Sequence, residues 1–157
     1  MYILNSKALS VKLKEGTLSQ KEIFHYFFAN TIISAIQIQW LSIYASNGAS
    51  IVSKFLGLLY IIIVCIGTIV VFRTNQKGDG KSFVERYICI SFPILIRVIL
   101  IYIFFQLLYR IISQFIRSYE IVFMSINALF ILLPLIIAVY FYYLIHSYLR
   151  YICSVSN

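Results

Sequence analysis

The stretch FVERYICISFPILIRVILIYIFFQLLYRIISQF, residues 83–115, decides the fold. From Tyr87 to Phe115 it carries no carboxylate and is apolar for longer than the ~20 residues a helix needs to cross a hydrocarbon core. Three more runs of this kind occupy residues 24–44, 52–72 and 121–151. The chain therefore reads as all-α: a four-helix transmembrane bundle with spans at 24–44, 52–72, 87–115 and 121–151. Hydrophobic residues make up 62% of its 157 residues and charged residues 11%, so little remains outside the spans. A separate soluble domain would need at least about 50 residues. Residues 1–23 read as a cytoplasmic N-terminal arm, 24–151 as the transmembrane domain and 152–157 as a short cytoplasmic tail.

Local signals mark the helix starts. Ser19 with Glu22, and Ser82 with Glu85, have the spacing of a capping box, in which hydroxyl and carboxylate satisfy exposed amides reciprocally. Ser46-Asn47-Gly48 reads as a turn between the first two spans. Residues 1–23 lack the apolar core and cleavage site of a signal peptide, so the first span is expected to be retained. The net charge is +8, and Lys and Arg concentrate in the N-terminal arm (Lys7, Lys12, Lys14, Lys21) and the 73–86 connection (Arg73, Lys77, Lys81, Arg86). By the positive-inside bias both termini and that connection are cytoplasmic, with Trp40 and Tyr44 at the outer interface. A helix over 121–151 would measure ~46 Å against a ~30 Å core, so its Tyr-rich end is expected to project into the cytoplasm.

Polar groups inside the spans need a reason. Arg97 lies ~16 Å beyond Arg86 along the third helix; a register starting at Phe92 brings it within ~8 Å of the surface, where it can snorkel. Either it bonds locally or it lines a water-filled interior. Asn30, Ser34 and Gln37 share one face of the first span, as helix–helix glue or as the lining of an aqueous path. Gln106, Arg110, Ser113 and Arg117 form another row on the third helix. Asn127 and Pro134 suggest a local break in the fourth.

The cytoplasmic rim combines cations with aromatic rings: Arg73, Lys77, Lys81 and Arg86, together with Tyr143, His146 and Arg150 on one face of the fourth helix. Such a rim suits an anionic lipid headgroup or a nucleotide or oligonucleotide. Gly78-Asp79-Gly80-Lys81-Ser82 ends like a phosphate-binding loop, but Asn75 stands where that motif requires glycine, and a membrane helix precedes it. It reads as a tight turn and helix cap. Cys65, Cys89 and Cys153 fit no metal or redox spacing, His25 and His146 have no ligand spacing, and no Ser-His-Asp arrangement is present. The expectation is no enzyme, no metal and no cofactor.

The four-span organisation, the small size and the basic cytoplasmic rim resemble small membrane-disrupting effectors of bacterial anti-phage defence systems. The resemblance is architectural, covers most of the chain and rests on no motif. It implies an oligomeric channel-like protein of the bacterial inner membrane that permeabilises or depolarises it, controlled by a ligand from a partner nucleotidyltransferase. In that reading Arg97, Asn30, Ser34 and Gln37 line the interior, Arg73, Lys77, Lys81, Arg86, Tyr143, His146 and Arg150 hold the anion, and the N-terminal arm lies on the membrane or plugs an opening. The partners expected are the bilayer, further copies of the chain, the nucleotide ligand and a cytosolic protein. The alternative is a non-conducting scaffold or accessory subunit of a transport or secretion complex.

Overall fold

The computed structural model describes residues 5–45, 51–116 and 120–154, the side chains at 35, 37–45, 53, 115–116 and 120–130 excepted. These residues form five helices: α1 (Ser6–Glu15), α2 (Gln20–Ala45), α3 (Ile51–Lys77), α4 (Phe83–Ile116) and α5 (Glu120–Cys153). The architecture is all-helical, with no strand among the described residues. Three segments, Lys54–Lys77, Phe83–Gln114 and Ile131–Cys153, are long and apolar enough to cross a membrane. At 34 residues each, α4 and α5 would be ~51 Å long, well beyond a ~30 Å hydrocarbon core.

Sequence patterns explain where the helices begin and end. The Ser19–Glu22 capping box forms in full: the Glu22 amide donates to Ser19 Oγ at 3.3 Å and the Ser19 amide to Glu22 Oε2 at 2.9 Å. Those bonds from Ser19 hold the exposed Glu22 carboxyl below its usual range. Asn5 caps α1 through Oδ1. Gly16 ends α1 at φ +66°, with its amide bonding Leu13 O and that of Thr17 bonding Lys12 O, a Schellman arrangement that needs a left-handed residue.

The N-terminal arm contains a docked helix. α1 buries Ser6, Leu9, Ser10 and Leu13, one face at i, i+3, i+4 and i+7, against α4 and α5. Lys14 bonds Ser154 Oγ at 3.2 Å and lies over the Tyr151 ring, so α1 also joins the end of α5. Among the larger helices α5 packs on α3 and α4, and α4 on α2, giving the contact order α3, α5, α4, α2.

The α3·α5 contact is close. Val71 and Asn75 of α3 are fully buried, as are Ile145 and Leu149 of α5. At Gly67 a Cβ would fall 2.6 Å from Tyr142 Cδ1, and at Gly78 it would fall 3.0 Å from the Cys153 carbonyl oxygen. Both glycines let the helices approach. The buried core gathers at one end: α1, Tyr26, the ends of α3 and α5, and α4 from Cys89 to Val98. Towards the other end Phe55, Leu58, Phe104, Leu107 and Ile111 are exposed.

Candidate functional site

Two concavities meet the α3·α5 pair. The first is a cleft of about 690 Å³ lined by α2, α3, α4 and α5. Its walls are mainly apolar, with polar groups from Asn30, Ser34, Ser91, Tyr60, Tyr87 and Tyr142. Asn30 donates to the Ile88 carbonyl at 2.9 Å and to Ser91 Oγ at 3.4 Å, tying α2 to α4. Ser91 Oγ also donates to Ile88 O. This polar patch sits beside Pro93, which has no amide to give the carbonyl of Cys89 one turn back. On the α3·α5 side Thr68 and Tyr142 share a hydrogen bond at 3.2 Å. Pro134 lines the same cleft from within a helix that continues through it.

Arg97 does not line this cleft. At about 100° per residue, the cleft-lining positions of α4 (87, 88, 91, 95, 98, 99 and 102) cluster on one side, and Arg97 points more than a third of a turn away from their mean direction. It is half-buried there, on the same side as Arg86. Asn30 and Ser34 do meet at the cleft, whereas the side chains of Gln37, Trp40, Tyr44, Arg117 and Asn127 lie outside the described residues.

The second concavity, about 510 Å³, lies between the ends of α3 and α5 and includes Lys77, His146, Arg150, Thr74, Cys153 and Ser154. It brings together three of the predicted anion-binding residues: Lys77, His146 and Arg150. Arg73 and Lys81 are exposed outside it, and Tyr143 is 65% exposed on the α5 surface.

Arg86 has a different task. It is buried and forms a two-pronged ion pair with Asp79, Nη2 reaching Oδ2 at 2.6 Å. Nη1 also reaches Asn75 Oδ1 at 3.3 Å and Cys153 Sγ at 3.5 Å. Asn75 in turn accepts the Gly78 and Gly80 amides on its carbonyl and donates through Nδ2 to Lys81 O. Gly80 at φ +65° closes the turn. The guanidinium bonds hold the Asp79 carboxyl below its usual range. Together these bonds form a clamp joining α3, the 78–82 turn, α4 and the end of α5.

Sequence reasoning missed this clamp, although an acid and an arginine seven residues apart across a Gly-rich turn were its visible signal. Pro93 was also missed as the companion of the Asn30–Ser91 patch. Among the described residues no three His, Cys, Asp or Glu side chains gather as a metal site. No family profile, curated protein or solved structure matches the chain.

Proposed function

We propose that the chain is a four-span protein of the bacterial inner membrane, with α2 as the additional span and both termini in the cytoplasm. It assembles with further copies of itself and acts as a membrane effector that opens an ion path under control of an anionic ligand. The observation that carries this reading is that α3 and α5 form both the basic groove and part of the polar-lined cleft. A ligand bridging Lys77 and Arg150 acts on the spacing of two helices that also bound the cleft. The positive-inside bias supports the orientation. The architectural resemblance to anti-phage effectors supports a nucleotide or oligonucleotide from a partner enzyme as one source of the anion.

The test is ion flux in liposomes carrying purified protein of measured oligomer mass, with and without anionic ligands, alongside Lys77→Gln/Arg150→Gln. Flux from an oligomer, altered by the ligand and insensitive to it in the double variant, is the expected result. A monomer that leaks under no condition refutes it. The Asn30 bonds favour a second reading, a non-conducting scaffold whose membrane polarity serves helix–helix packing. That reading predicts no flux and co-purification with a larger complex.

A further inference from the structure

The basic groove and the cleft flank the α3·α5 contact on different sides. On α5, cleft residues Pro134, Ile137, Ala138, Phe141 and Tyr142 spread over about 140° centred near Pro134; Tyr142 and Cys153, which meet Gly67 and Gly78 of α3, mark one edge, and His146 and Arg150 lie beyond it, about 110° and 150° from the centre. The groove therefore faces the perimeter of the molecule.

Directly in line with it runs an apolar strip. Tyr143, Val139 and Ile136 precede Arg150 by 7, 11 and 14 residues, spacings that return to the same helix face. They are 65%, 55% and 59% exposed. On α3, Val70 and Ile66 precede Lys77 by 7 and 11 residues and are also exposed. The strip extends ~20 Å from Arg150 on α5 and ~16 Å from Lys77 on α3, close to the ~15 Å depth of one leaflet. Cations at its end and apolar side chains along it match an amphiphile with an anionic head.

Lys77 and Arg150 have another task here, since cations near helix C-termini offset the macrodipole. The ends of α3 and α5 contribute about −0.5 charge each, against two full positive charges. A net charge of about +1 is left for a ligand.

The geometry points to an anionic phospholipid as the occupant: its phosphate sits between Lys77 and Arg150, and an acyl chain lies along Ile66, Val70, Val139 and Tyr143. This rests on the groove being an anion site and names the lipid as the source; it does not require conduction. A free nucleotide has the phosphate and lacks the chain, so it leaves the strip unused.

Native mass spectrometry of the purified protein decides between them, using phosphatidylglycerol, phosphatidylcholine with the same chains, and ATP as probes. Phosphatidylglycerol should be retained about fivefold better than phosphatidylcholine, the effect of one net surface charge. Lys77→Gln/Arg150→Gln should abolish the difference, and Lys81→Gln should preserve it. Ile66→Ser/Val139→Ser should weaken retention of phosphatidylglycerol and leave ATP unaffected. Equal retention of the two lipids overturns the proposal, and that comparison on the unaltered protein stands whether or not a variant folds. If ATP then binds through Lys77 and Arg150, the anion site survives and only the lipid assignment fails. If neither anion discriminates, both fail.

Discussion

Replacing Asp79 by Asn tests the clamp. The substitution keeps the shape and removes the charge opposite Arg86, whose side chain is only 9% exposed. Removing one partner of a fully buried pair costs about 3–5 kcal/mol, because the other charge is left uncompensated. Exposed pairs are worth about 1 kcal/mol or less. Asp79 is 31% exposed and Arg86 retains Asn75 Oδ1 as an acceptor, which places the expected loss at about 2–3 kcal/mol, between those limits. Unfolding in mixed micelles, followed by far-UV circular dichroism, measures it. Asp79→Asn combined with Arg86→Leu completes a cycle, and the coupling should exceed about 1 kcal/mol. A loss below about 0.5 kcal/mol for Asp79→Asn would refute the clamp as a stabilising element.

The same pair sets an acid limit. Because the folded Asp79 carboxyl is held low, its contribution is fully present above the unfolded value of about 3.9. It disappears as pH falls through the lowered folded value. The native protein should therefore lose stability on acidification below about pH 4 by an increment absent from Asp79→Asn.

Gly67→Ala forces the Tyr142 ring away from α3 and should destabilise the α3·α5 contact by about 1–3 kcal/mol, as overpacking does, read as a lower thermal midpoint in detergent. Ser6→Ala should stabilise by about 1 kcal/mol, since Ser6 Oγ is buried with no hydrogen-bond partner among the described residues; a loss in the same melt would show that the hydroxyl is used. Asn30→Leu should cost about 1 kcal/mol, the modest worth of an interhelical bond in a membrane, and a double-mutant cycle with Ser91→Ala should show coupling between them.

Most helix positions were legible because apolar length and capping chemistry are local. The runs at 52–72, 87–115 and 121–151 fall within helices that extend one to five residues further at each end, and Ser19 with Glu22 caps α2 as its spacing foretold. The docking of α1 was less legible: Leu9 and Leu13 between lysines announce an amphipathic helix, but its receptor on α4 and α5 is a tertiary matter. The site was only partly legible for the same reason. His146 and Arg150 share a helix face visible in sequence, whereas Lys77 joins them only because Gly67 and Gly78 bring α3 against α5. Arg86 looked like one more cation on the rim. Its bonds to Asp79, Asn75 and Cys153 depend on the turn at Gly80 and on where α5 ends.

The uneven distribution of packing bears on how such a molecule could respond to a ligand. The buried core, the Arg86 clamp and the docked α1 all lie at the end bearing the 78–82 turn, while the far parts of α3 and α4 present exposed Phe and Leu side chains. In water that exposure would be costly; in lipid it is not, because the tails are as apolar as the side chains and helices gain no hydrophobic attraction from meeting. Separation of the far ends is therefore opposed mainly by packing, since the Asn30–Ser91 contact lies within the buried half of α4. Separation at the clamped end would also break the Arg86–Asp79 pair and uncover Leu9, Ile145 and Leu149. A change in cleft width thus has its natural pivot at the clamp. The basic groove lies beside that pivot, and Cys153 belongs to both groove and clamp, so the proposed ligand would act at the point from which a small change in helix angle is magnified along the helices.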